Sequence, residues 1–172
     1  MVKNRNKNRV FRFNRRIRKQ TDYKLRLRLL KSELTRAVIR RSNKNMLIQF
    51  VNYENNSDKI LTSAKSVDLV KNFKLTINTG NLPSAYLTGL LAGKRLLKTG
   101  FKGEVIIDLG LQRSIYGSRL YAAVKGIVDS GVSVKVSDVV FPPEERLNGS
   151  HLSNKDANKI IEKTKKAIEV LK

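Results

Sequence analysis

Positive charge is crowded into one quarter of this chain, and that limits what the quarter can become. Residues 1–41 carry 16 Lys/Arg against two acids, Asp22 and Glu33, a net of +14. Residues 42–172 carry 20 against 12, a net of +8. The opening MVKNRNKNRVFRFNRRIRK is too polar and too self-repelling to build a core alone. Residues 1–19 are therefore expected to form a basic arm that orders on a partner, the alternative being a targeting or solubility tail. Val10, Phe11, Phe13 and Ile17 are interleaved with its arginines. Such residues can stack on bases or pack into a groove. The body of the fold must come from residues 20–152, followed by a C-terminal helix over 153–172.

The whole chain has 172 residues, 40% of them apolar, and a net charge of +22. That length suits one domain, which buries roughly 68–70% of its unfolded surface and needs no staples. With no Cys and a single His, disulfides, thiolate-bound zinc and a two-histidine metal site are excluded. No apolar run approaches the roughly 18–20 residues of a membrane span. The basic N-terminus lacks the apolar segment of a secretory signal, so a soluble intracellular protein is expected. Charge of this size repels itself in a free globule, and a polyanionic partner, most commonly nucleic acid, relieves it.

Thr21 is the expected N-cap of a helix over TDYKLRLRLLKSE, with Asp22 suited to its positive end. Leu25, Leu29 and Leu30 share one face and Lys24, Arg28 and Lys31 another, a cationic face that either meets phosphates or is simply solvated. Three β-prone runs follow, Ala37–Ile39, Met46–Val51 and Ile60–Ala64, joined by turn-rich segments short enough to make them antiparallel. A short helix is expected around Val67–Asn72. Asn78–Pro83 feeds a helix running to about Lys98, with Gly100 as its stop. Ala85, Gly89 and Gly93 recur every four residues along it. Glycine costs up to ~1 kcal/mol in a helix, so the stripe signals close approach by sheet or RNA backbone, or tight helix–sheet packing.

Glu104–Leu109 reads as a buried parallel strand. Ser118 then caps a helix over Arg119–Asp129, and Val132–Val136 gives a fifth strand. Ser153 is the expected cap of a last helix carrying Ala157, Ile160, Ile161, Thr164, Ile168 and Leu171 at helical spacing. The order of elements gives an α/β layer domain with a mixed sheet. Arg113 and Arg119 flank the loop after a parallel strand, where ligands gather in open α/β sheets. Ser118 at a helix start can offer backbone N–H groups to a phosphate.

Several separate motifs also agree in order and spacing. They are Lys19–Tyr23 with Arg26–Ser32, then Thr79-Gly80-Asn81, Ala85–Gly93 and Asp108-Leu109-Gly110. After these come Arg113, Gly117-Ser118-Arg119, Ala122–Gly126, Asp129-Ser130-Gly131, Phe141-Pro142 and Glu144-Glu145-Arg146. Over about residues 10–152 the chain resembles the archaeal form of the universal 5S-rRNA-binding protein family of the large ribosomal subunit. The resemblance implies a three-layer α/β domain with a mixed sheet of about five strands, of ribonuclease H-like architecture. It implies a protein of the central protuberance, with no enzymatic activity and no cofactor. It implies 5S rRNA, large-subunit rRNA and neighbouring ribosomal proteins as partners, with no membrane and no homo-oligomer. Carried over by position, the RNA-facing residues are Arg12, Arg15, Arg16, Arg18, Lys19, Tyr23, Lys24, Arg26 and Arg28 in the arm and first helix. Asn43 and Lys44 join them from the hairpin tip, Thr79, Gly80 and Asn81 from the next turn, and Arg113, Ser118 and Arg119 from the later loop. The second strand and its turns depart from the family pattern in being rich in Asn.

Other functions fit less well. A ribonuclease H-like enzyme needs several converging carboxylates to hold Mg²⁺. Asp108 lies on a core strand, but the first hairpin offers it no acidic partner. Phosphate-binding loops of the NTPase type are absent, and His151 has no assembled nucleophile. The basic segment lacks the broad apolar face of a membrane-surface helix. A free RNA chaperone or assembly factor uses the same cations, though the motifs point elsewhere. The Glu144-Glu145 pair is either a contact for a basic neighbour or an exposed acidic turn.

Overall fold

In a computed structural model, residues 12–152 and 156–171 are described. A short helix, α1 (Asn14–Ile17), precedes α2 (Tyr23–Lys31). Strands β1 (Thr35–Arg41), β2 (Met46–Glu54) and β3 (Ser57–Lys65) form an antiparallel meander, followed by α3 (Ser66–Phe73) and the long α4 (Leu82–Lys98). Then come β4 (Glu104–Asp108), α5 (Arg119–Asp129), β5 (Ser133–Val134), a 3₁₀ turn at Asp138–Val140, α6 (Glu144–Leu147) and α7 (Ala157–Glu169). The sheet order is β3-β2-β1-β4-β5, with β4 parallel to both β1 and β5. This is the expected mixed five-stranded α/β architecture.

Local chemistry accounts for the element ends. Asp22, not Thr21, caps α2: its carboxylate accepts from the N–H groups of Lys24 and Leu25 at 2.9 and 3.2 Å. Thr21 instead accepts a hydrogen bond from Arg15 Nε at 2.9 Å. The β2–β3 turn uses Asn55 and Asn56, both with positive φ, as a two-residue hairpin of this hand requires. Its abundance of Asn thus serves backbone geometry. The last strand is shorter than the valine run suggests. Val132 and Val136 pack against the core while only Ser133 and Val134 join the ladder, so their apolar character reflects burial rather than pairing. The expected cap at Ser153 lies outside the described residues, as do Val10 and Phe11 of the arm.

One face of β1 carries Ala37 and Ile39, wholly buried with Ile48 and Phe50 of β2 in the core. Helices α4 and α5 cover this face, and α7 adds Ala157, Ile161 and Ile168 to the same core. The glycines of the stripe are packed against α5 and not against the sheet. A Cβ on Gly89 would stand 2.0 Å from the Ala123 carbonyl oxygen, and one on Gly126 would stand 2.1 Å from that of Tyr86. The two helices cross backbone against backbone, which only these glycines permit. On the opposite face lie Arg36, Val38 and Arg40, with α2 attached through Leu29 and Arg26. Among the described residues no helix is long and apolar enough to cross a membrane.

Gly89→Ala is accordingly expected to destabilise the fold by about 1–3 kcal/mol or more, because α4 and α5 must separate to admit one methyl group. Urea denaturation of the full chain measures this, and a change below about 0.5 kcal/mol would contradict the packing described.

Candidate nucleic-acid interface

Most of the predicted site residues gather at one end of the sheet, the carboxyl ends of β1 and β4. The loop after β4 is tied to the end of β1 by Gln112. Its side-chain N–H donates to the Ile39 and Leu109 carbonyls at 2.7 and 3.1 Å, and its oxygen accepts from the Arg41 N–H at 3.1 Å. The β1–β2 tip is closed by Ser42 and Asn45, whose backbone atoms pair at 2.8 Å. That tip rests on the turn before α4. Thr79 Oγ1 donates to the Lys44 carbonyl at 2.6 Å, and a Cβ on Gly80 would meet the Asn43 oxygen at 2.8 Å. Asn81 caps α4 by accepting from the Ser84 N–H at 2.9 Å. Arg119, in the first turn of α5, reaches across with Nη1 to the Gly80 and Asn43 carbonyls at 2.6 and 3.2 Å. Asn43, Lys44, Thr79, Gly80, Asn81, Ser118 and Arg119 thus belong to one contiguous edge.

The arm approaches the same end. Leu111, after β4, lines two crevices: one with Arg15, Thr21, Asp22 and Arg40, the other with Arg16, Lys19, Tyr23 and Lys24. Phe13 is 70% exposed, with its ring 5.1 Å from that of Tyr23. Arg12, Arg15, Arg16, Arg18 and Lys19 are all exposed. On α2, Lys24 and Arg28 point to solvent while Arg26 turns inward, its Nη2 bound to both oxygens of Asp58 at 3.0 and 2.9 Å. Arg113 is exposed, and among the described residues it makes no hydrogen bond or ion pair. Ser118 sits at the N-cap of α5, yet its hydroxyl caps nothing and is buried without a partner among the described residues.

Sequence reasoning missed the polar cluster on which this edge stands. Arg36, only 2% exposed, holds Asp58 at 2.6 Å through Nη2 and Asp108 at 3.4 Å through Nη1. Arg40 Nη2 holds the other Asp108 oxygen at 3.1 Å, and Nη1 the Asp108 carbonyl at 2.8 Å. The same Oδ1 accepts from the Gly110 N–H at 2.8 Å. A β-bulge makes the cluster possible. The register shifts between Phe50 and Val51, so Tyr53 faces Asp58. Without the shift Tyr53 would face Lys59, and Asp58 would point to the other side of the sheet. The available signal was period two: Arg36 and Arg40 share a face of an otherwise buried strand.

Asp108 therefore does find a second carboxylate, Asp58 on β3, but a covalently held guanidinium stands between them. Two like charges that would attract Mg²⁺ are already neutralised. Among the described residues no group of three His, Cys, Asp or Glu is placed to hold a metal. Tyr86 lies away from this edge. Burial first, then the Asp129 carboxylate that its hydroxyl meets at 3.0 Å, pushes its phenol upward and keeps it protonated.

Comparison with known proteins adds a family. A model described as ribosomal large subunit proteins, 60S L5 and 50S L18, matches residues 7–104. Large ribosomal subunit protein uL18 of Methanococcoides burtonii is 47% identical over 141 residues, 82% of this chain and 80% of the relative. The uL18 protein of Methanothrix thermoacetophila is 44% identical over 80% of both chains. That of Methanoregula boonei is 38% identical over 162 residues, 93% of this chain and 92% of its own.

Arg36→Ala is expected to cost about 1.5–3 kcal/mol, because it takes from Asp58 and Asp108 one of the two guanidinium groups that each holds and leaves Arg26 and Arg40 as their remaining partners. Chemical denaturation of the variant checks this. A loss under about 1 kcal/mol would reduce the cluster to a surface-type ion pair.

Proposed function

Because this chain belongs to the large-subunit ribosomal protein family of 60S L5 and 50S L18, we propose that it binds 5S rRNA and attaches it to the subunit in the central protuberance. The coarser statement needs no proposal: the chain is a structural constituent of the large ribosomal subunit, as its relatives are. Its partners are then rRNA and ribosomal proteins, and its place is the cytoplasmic ribosome. The relatives are ribosomal proteins rather than enzymes.

The observation that carries the finer reading is the gathering of exposed cations and amides at one sheet end. Lys24 on α2, Lys44 on the hairpin tip and Arg113 on the loop after β4 stand there, backed by the exposed arginines of α1 and its flanks, while Arg28 extends the cations along α2. A set of exposed long cations suits RNA, which proteins read by shape, backbone and unstacked bases. Phe13 and Tyr23 supply aromatic faces beside those cations. Asn43 and Gly80 offer close backbone approach along the same edge, while the side chains of Thr79 and Asn81 are engaged within the protein and the Ser118 hydroxyl is buried. Arg26 and Arg119 belong to its base, since their guanidinium groups are engaged within the protein.

Filter binding tests this reading with the full chain, 5S rRNA and tRNA. Selectivity for 5S rRNA is expected, with affinity falling roughly 10³–10⁵-fold between 50 and 200 mM salt if six to ten phosphates are neutralised. Equal affinity for both RNAs would replace it with a general RNA chaperone. Arg113→Ala should weaken binding by about tenfold, the worth of one charge-assisted bond, without changing stability. Unchanged affinity would remove Arg113 from the interface.

A further inference from the structure

We propose that Arg119 is a positioning residue, which clamps the β1–β2 tip onto the turn before α4 so that Lys44 meets RNA from a fixed backbone. The inference rests on the RNA-binding reading and adds a division of labour within that edge.

Arg119 occupies an awkward place for a cation. It is the first residue of α5, at the positive end of the helix dipole, where a positive charge is disfavoured. Its position is explained by what Nη1 touches: the Gly80 carbonyl at 2.6 Å and the Asn43 carbonyl at 3.2 Å. These belong to two segments far apart in sequence, and one guanidinium nitrogen joins them. The same tip needs a second hold from Thr79, whose hydroxyl donates to the Lys44 carbonyl at 2.6 Å and meets Asn45 Oδ1 at 3.2 Å. Gly80 closes the contact, since no side chain fits between it and the backbone of Asn43 and Lys44. The carbonyls of Asn43 and Lys44 are thus both held from below, while the side chain of Lys44 is exposed.

A hairpin tip of four residues ordinarily samples several conformations, and ordering it on a ligand opposes binding. A clamp removes that opposition in advance. This differs from a phosphate contact in its salt dependence. A lysine or arginine that touches phosphate releases counterions, and its loss lowers the salt slope by about 0.7–0.9. A residue acting through the tip leaves the slope unchanged.

The test uses the full chain with Arg119→Ala, Thr79→Val, the double variant and Lys44→Ala, each checked for cooperative thermal unfolding. In the free protein, Arg119→Ala should speed amide exchange at residues 43–45, whatever the RNA does. With 5S rRNA, Arg119→Ala and Thr79→Val should each weaken binding by about tenfold at an unchanged salt slope. The double variant should be little weaker than either single, because both release the same tip. Lys44→Ala should lower the slope by about one contact. If Arg119→Ala does not fold, Arg119→Lys, which keeps the charge but not the planar fork, takes its place with the same expected exchange and slope. A fall in slope on replacing Arg119 with Ala would make it a phosphate ligand and overturn the proposal. So would unchanged tip exchange, or unchanged affinity beside a lowered melting temperature. Failure of the wild-type chain to prefer 5S rRNA over tRNA would instead refute the RNA reading and leave the exchange result to judge the clamp.

Discussion

A guanidinium with almost no exposed surface, Arg36, sits between two carboxylates on the face of the sheet turned away from α4. Charge in such a place is tolerated only when paired and hydrogen-bonded. Asp58 and Asp108 supply the pairing. To do so they must come from strands on either side of β1, with β2 lying between Arg36 and Asp58. The bulge in the β2–β3 ladder is the backbone adjustment that turns Asp58 toward Arg36. Asp58 in turn holds Arg26, and with Leu29 this fixes α2 over the sheet. Asp108 holds Arg40 and the Gly110 N–H, so the loop after β4 starts from a fixed point. The cationic helix and the cationic loop are both placed by the same buried cluster.

The other face is organised by the absence of side chains. Gly89 and Gly126 bring the backbones of α4 and α5 into contact, and Gly93 admits Ser130. With the helices this close, the start of α5 lies within reach of the turn that starts α4. Arg119 can then span from one to the other and on to the hairpin tip. A wider helix pair would leave the tip without its clamp. Packing in the core thus reaches the proposed RNA-binding edge through a short chain of contacts.

Much of this was readable in the residues. The meander, the long helix over Leu82–Lys98, the buried strand at Glu104–Asp108 and the helix after Ser118 follow from period-two and helical spacing and from turn chemistry. Boundaries shifted where packing and pairing part company, as at Val132 and Val136. The short elements α1, α6 and the 3₁₀ turn carry too few residues to show a period. Topology pointed to the carboxyl ends of the strands as the place for the proposed site, and helical spacing to the exposure of Lys24 and Arg28. The inward turn of Arg26 and the two-carbonyl grip of Arg119 did not. Both depend on partners 32 or more positions away. The Arg36 cluster was hidden for the same reason. Nothing in TRAVIRR names Asp58, and the bulge that aims it leaves no mark in composition.

The proposed RNA-binding edge lies at the carboxyl ends of β1 and β4 and is held by these internal contacts. Hydrogen–deuterium exchange of the full chain, free and bound to 5S rRNA, tests it most directly. New protection is expected at residues 42–45, 79–81 and 110–119 and along α2, with the β2–β3 turn and the outer face of α7 unchanged. Protection confined to the β2–β3 turn or to α7, with the tip and the loop after β4 exchanging as in the free protein, would contradict it.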